Sequence, residues 1–134
     1  MTKRLILPSL IIYSLLSSCD PSRHIEMKNK SNDTAEFVWK VREDSIGHNP
    51  FVISNNKELK FLIPPHKNSK IKMSFGMGVW SPEEVEKLII GIESFEIISA
   101  RHKIRIDSLP LLKEYLLARR KGVGGSKIEI VINE

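Results

Sequence analysis

The sequence predicts an α+β fold, a mostly antiparallel sheet or small β-sandwich carrying two helices. Three observations lead there. Short runs with apolar side chains at every second position recur from Ile25 to Ile132, which is the period of a half-buried strand. Only two stretches, near 82–90 and 108–121, carry apolar residues at helical spacing. The connections are hairpin-length and no βα unit repeats, which argues against a parallel α/β sheet.

Each element follows from its residues. Ile25 and Met27 alternate with Glu26 and Lys28, and Ala35, Phe37 and Trp39 alternate with Glu36, Val38 and Lys40. Ser31-Asn32-Asp33 between them is a turn signal, so the two runs read as a β-hairpin. Residues 42–56 are polar, with Gly47, Asn49, Pro50, Asn55 and Asn56, and read as a loop with a short strand at 51–53. Residues 59–63 form a strand stopped by Pro64-Pro65, and Lys67-Asn68-Ser69 turns the chain. Ile71, Met73 and Phe75 alternate with Lys70, Lys72 and Ser74 in another strand, ended by Gly76 and Gly78.

Ser81-Pro82-Glu83-Glu84 opens a helix. Ser81 caps, Pro82 suits the first helical position, and Glu84 completes a capping box. The helix runs to about Ile90 with Val85, Leu88 and Ile89 inward. Residues 95–98 are an apolar strand, and Lys103, Arg105 and Asp107 alternate with His102, Ile104 and Ile106 in its partner. The second helix spans 108–121, capped by Asp107 or Ser108, with Pro110 tolerated in the first turn. Leu109, Leu112, Tyr115 and Leu116 share one face of it, and Gly122 stops it. Gly124-Gly125-Ser126 turns the chain into a last strand, where Ile128, Ile130 and Ile132 alternate with Lys127, Glu129 and Val131.

The N-terminal segment has a different character. Lys3 and Arg4 form a positive head, residues 5–16 are almost wholly apolar, and Ser17 and Ser18 precede Cys19, the only cysteine in 134 residues. A charged head, a short apolar stretch and small residues describe a secretory signal. The stretch is shorter than the ~20 residues a bilayer-spanning helix needs. Leu16-Ser17-Ser18-Cys19 resembles the lipobox of bacterial lipoproteins. The resemblance covers only residues 1–19. It implies diacylglycerol on the Cys19 thiol, cleavage just before Cys19, and acylation of the new amine. Two or more acyl chains anchor firmly where one holds marginally. Asp20 also resembles the signal that retains such proteins in the inner membrane of enteric-type bacteria. The expected organisation is a signal at 1–18, a lipidated tether at 19–22 and a globular domain at 23–134.

Cleavage before Cys19 leaves 116 residues, enough for one core. No cysteine remains for a disulfide, so packing must supply the stability. The chain carries 21 Lys plus Arg against 16 Asp plus Glu. Without Lys3 and Arg4 the excess is three, which solubility explains without invoking nucleic acid.

Catalytic signals are sparse. Gly122-Val123-Gly124-Gly125-Ser126-Lys127 resembles a phosphate loop in composition but leads into a strand, so no helix N-terminus follows to hold a phosphate. His24, His48, His66 and His102 show no metal-ligand spacing, and His102 is expected on the inner face of its strand. Met73, Met77, Trp39 and Trp80 read as packing residues. Glu83, Glu84 and Glu86 are explained by the helix start. Glu93 and Glu96 flank a strand, and no GxSxG or HExxH occurs. Arg101, Lys103 and Arg105 on one strand, with Arg119, Arg120 and Lys121 at a helix end, form a possible basic interaction patch if the fold brings them to one side. The expectation is a non-enzymatic envelope lipoprotein, without cofactor or metal. It would be held to a membrane by Cys19 and engage another envelope protein. The alternatives are a small-ligand or lipid-binding protein with a pocket beneath the helices, and an envelope hydrolase whose site converges only in the fold.

Overall fold

Alternation gives each strand one apolar face, and two sets of such faces meet across a shared core. The computed structural model describes residues 20–45, 57–66 and 69–133. Its strands and helices are β1 (Ser22–Asn29), β2 (Ala35–Val41), β3 (Glu58–Ile63), β4 (Lys70–Met77), α1 (Pro82–Ile89), β5 (Ile92–Ile98), β6 (Lys103–Ile106), α2 (Leu109–Leu117), β7 (Arg120–Lys121) and β8 (Lys127–Ile132). One sheet has the order β4-β1-β8-β7, the other β3-β2-β5-β6. All pairs are antiparallel except β1 with β8. The α+β class with two helices is therefore the observed one.

Ile25, Met27, Ile128 and Ile130 from the first sheet and Phe37, Trp39 and Phe95 from the second are fully buried in one cluster. Trp39 and Phe95 approach to 4.1 Å between ring centroids, and Tyr115 of α2 joins Phe95 at 6.0 Å. Leu112 and Leu116 bring α2 into this core, and Val85, Leu88 and Ile89 bring α1.

The hairpin expected between the first two strands does not form, because β1 and β2 belong to different sheets. Both carry large apolar residues, and placing them in facing sheets lets Ile25 and Met27 pack with Phe37 and Trp39 inside one core. Asn29 supports the crossing. Its buried Nδ2 donates to the carbonyls of Asp33 at 2.7 Å and Ile63 at 2.9 Å. Its Oδ1 accepts from the Ser31 amide at 3.0 Å and hydroxyl at 2.6 Å. The side chain satisfies backbone groups that a hairpin turn would have paired.

Other expectations shift locally. Ser81 Oγ accepts from the Glu84 amide at 3.2 Å and so caps α1. The capping box is only half made, since the Glu84 carboxylate bonds Arg23 and Lys87 while the Ser81 amide donates to Val79. The second helix is shorter than 108–121 and Ser108 makes no side-chain cap bond. It ends at Leu117 because the chain turns to add β7 to the first sheet, where the Arg119 carbonyl accepts from the Glu129 amide at 3.0 Å. Glu93 and Glu96 lie within β5 rather than beside it. The strand expected at 51–53 and Lys67-Asn68 lie outside the described residues.

The strand directions define two ends. At one, β1 starts, β4 finishes and β8 starts, with Ser22 opposite Met77 and His24 opposite Lys127. Backbone bonds tie this end together: Gly78 N–H to Pro21 O at 2.7 Å, His24 N–H to Ser126 O at 3.1 Å, and Trp80 N–H to Gly125 O at 2.9 Å. Trp80 Nε1 donates to the His24 carbonyl at 3.0 Å. The chain preceding β1 therefore enters between the loops 76–80 and 122–126.

Candidate functional site

The residues of β1, β4 and β8 that alternate with the core positions build the opposite face of the first sheet. Strand register lays them out as a grid. Lys72, Glu26 and Glu129 form a central row across β4, β1 and β8. Lys70 and Lys28 stand on one side of it, and Ser74, His24, Lys127 and Lys121 on the other. Five lysines thus surround two glutamates that neighbour each other.

The glutamates are deeply set and heavily paired. Glu129 lies 2.8 Å from Lys28 Nζ, 3.0 Å from Lys121 Nζ and 3.1 Å from Lys127 Nζ. Hydrogen bonds from Lys28 and Lys121 outweigh burial and, with Lys127, hold its carboxyl at about 2. Glu26 lies 3.3 Å from Lys28, 3.6 Å from Lys127 and 3.9 Å from Lys70. Burial pushes its carboxyl up, but Lys28, Lys127 and Lys70 together hold it below the ordinary range. The Lys28 ammonium is correspondingly raised, first by its bond to Glu129. This charge-assisted network fixes the side chains on a rigid sheet. It leaves an excess of three positive charges, with the outer lysines exposed: Lys70 is 53% and Lys121 60% accessible. Lysines on the edge strand β4 also discourage pairing with a foreign sheet.

The second sheet differs. Away from the core it carries Lys40, Lys60, Lys103 and Arg105 against Glu36, Glu58, Glu96 and, just past β6, Asp107. Arg105 pairs with Glu96 at 3.0 Å and Asp107 at 3.5 Å, and Lys103 lies 3.9 Å from Glu96. These charges balance.

The residues of the basic patch expected from sequence are divided among several elements, although Arg119 lines a small pocket with Ser99, His102 and Ile104, beside Arg101 and Lys103. Lys103 and Arg105 belong to the balanced sheet, and the exposed Arg101 sits in the turn before them. Arg119 donates to the Tyr115 carbonyl at 2.9 Å and stacks on the Tyr115 ring at 3.4 Å. Arg120 donates to the carbonyls of Leu117 and Trp80. Both arginines are thus spent on the helix end and the loop junction, and only Lys121 joins the lysine grid. Cys19 lies outside the described residues.

The remaining candidates disperse. His24 lies on the grid face with Nε2 3.5 Å from Glu26, His66 is in a turn, and His48 is outside the described residues. His102 is exposed ahead of β6 rather than on its inner face. Met73 packs on the core, whereas Met77 is 60% exposed and does not fill a core gap. Trp39 and Trp80 are buried as expected. Among the described residues no three His, Cys, Asp or Glu converge as a metal cluster, and no helix is long and apolar enough to cross a membrane.

A groove of about 820 Å³ lies between the helices, floored by Ile89, Ile90, Leu109 and Pro110 and rimmed by Glu83, Glu86, Lys87 and Lys113. Lys113 and Glu86 pair across it at 2.6 Å.

No protein-family model, curated protein or solved structure matches the chain.

Proposed function

We propose that this chain is a bacterial envelope lipoprotein, anchored by acyl chains on Cys19, whose folded domain is a non-enzymatic interaction module. The observation that carries the reading is the order along the chain. A positive head and an apolar run end in Leu16-Ser17-Ser18-Cys19, and β1 begins three residues later at Ser22. A thiolate is the strongest ordinary side-chain nucleophile, which suits Cys19 to accept the lipid. The folded part supports an interaction role: its most distinctive surface is a charged sheet face, on which Glu26 and Glu129 are bound up in ion pairs. Binding of a small apolar ligand is the second reading, favoured by the groove between α1 and α2.

Intact mass from the membrane fraction tests the anchor. The expected species has lost residues 1–18 and gained acyl mass, and a Cys19→Ser version shows neither. An unmodified precursor, or acyl mass that survives the substitution, refutes the reading.

A further inference from the structure

We propose that the lysine face of the first sheet docks the domain directly onto an anionic membrane surface, with apolar side chains at the N-terminal end dipping in beside the anchor. The orientation rests on the anchored reading above; the docking surface itself is read from the fold.

The first argument is charge. An excess of three lysines on one sheet face, against a balanced face on the other, gives the domain one basic side. Lys28 and Lys127 hold the buried Glu26 and the half-buried Glu129, while Lys70, Lys72 and Lys121 project at the margins. Such lysines are attracted to anionic headgroups within about a Debye length.

The second argument is where the chain enters. Cys19 precedes Ser22 by three residues, a reach of at most about 11 Å. An anchor that short holds the end built from β1, β4 and β8 against the bilayer, and these are the strands that carry the lysines.

The third argument is the exposed apolar side chains at that end. Met77 is 60%, Val79 39% and Val123 78% exposed. Met77 ends β4, while Val79 and Val123 sit on the two loops that clasp Pro21 and the start of β1, and Val79 packs so near Gly124 that an added Cβ there would lie 3.2 Å from it. Every glycine with positive φ among the described residues lies near the end of β4 or in these loops, at Gly76, Gly78, Gly122, Gly124 and Gly125. The apolar tips and the start of β1 therefore share one end of the sheet whose face carries the lysines, with Lys121 and Lys127 nearest that end and Lys70 furthest from it. A soluble protein partner would not require the tether to emerge beside them.

The test is co-sedimentation of a chain starting at residue 19 with Cys19→Ser, which keeps every described element and their shared core. The vesicles are phosphatidylcholine alone or with about one-third phosphatidylglycerol. At about fivefold for each of the three positive charges in excess, the expected preference for anionic vesicles is roughly a hundredfold, and it collapses in high salt. Lys72→Ala with Lys121→Ala is expected to weaken binding about ten- to thirtyfold. Lys60→Ala with Lys103→Ala, on the other sheet, leaves it within about twofold, because that face is balanced. Met77→Ser with Val123→Ser lowers the part of the binding that persists in salt. The salt series on the unsubstituted chain decides the matter even where a variant folds poorly. Absence of binding, equal binding to both vesicles, or an equal loss in the control pair overturns the docking surface. Vesicle binding without acyl mass in the cell refutes the anchor and leaves the surface standing. Acyl mass without vesicle binding does the reverse.

Discussion

Replacing Glu129 by glutamine is expected to weaken folding and strengthen membrane binding at once. Glu129 sits between Lys28, Lys121 and Lys127, and its carboxyl is held at about 2 instead of the ordinary 4.5. That difference is equivalent to at most ~3 kcal/mol of native-state stabilisation. Solvent screening and relief from the neighbouring Glu26 reduce it, leaving about 1–2 kcal/mol. The group is depressed, so its contribution is complete above about pH 5 and is lost as the pH falls towards 2. Thermal melts of the two chains at pH 7 should differ by about 4–8 °C, and the gap should narrow by pH 3. The same substitution raises the positive excess of the face from three to four, so partition onto phosphatidylglycerol vesicles at pH 7 should rise several-fold, by about 1 kcal/mol. Equal melting at pH 7, or a gap unchanged at pH 3, would refute the account of the network. Unchanged vesicle binding would refute its electrostatic role at the surface.

Two further predictions concern single side chains that support the fold. Asn29→Ala removes a buried side chain that bonds Asp33, Ile63 and Ser31; leaving those groups unpaired should cost about 2–3 kcal/mol in chemical denaturation, and a loss under 0.5 kcal/mol would show that the crossing needs no side-chain support. Ser81→Ala removes the α1 cap and should cost about 1 kcal/mol, with Ser81→Asp restoring it; equal stability of the three chains would refute the capping role.

The strands and helices were largely legible because burial imposes a period on the chain. Ile128, Ile130 and Ile132, or Val85, Leu88 and Ile89, announce a face whatever lies against it. The Ser81 cap was legible because its bond is local, spanning three residues. The hairpin failed because a turn signal such as Ser31-Asn32-Asp33 specifies a change of direction, not the sheet that receives the next strand. The second helix overran because Arg119, Arg120 and Lys121 are compatible with a helix end, and only pairing of β7 with β8 pulls them away.

What the sequence determined by itself is local: which residues alternate, where helices begin, and a cysteine behind an apolar run. The tertiary structure alone decided which charges share a surface. Lys28 and Glu26 reach Lys127 and Glu129 only because β1 lies parallel to β8, about a hundred residues further along the chain. Lys70 and Lys72 join from β4 on the other side of β1. Lysines at every second position look the same on any solvent-facing strand. The order of strands in the sheet, set by packing of the opposite, apolar face, gathers five of them around two glutamates and leaves Arg101, Lys103 and Arg105 elsewhere. Hydrophobic burial has a short period that a sequence displays, whereas the summed field of a surface depends on long-range neighbours that it does not.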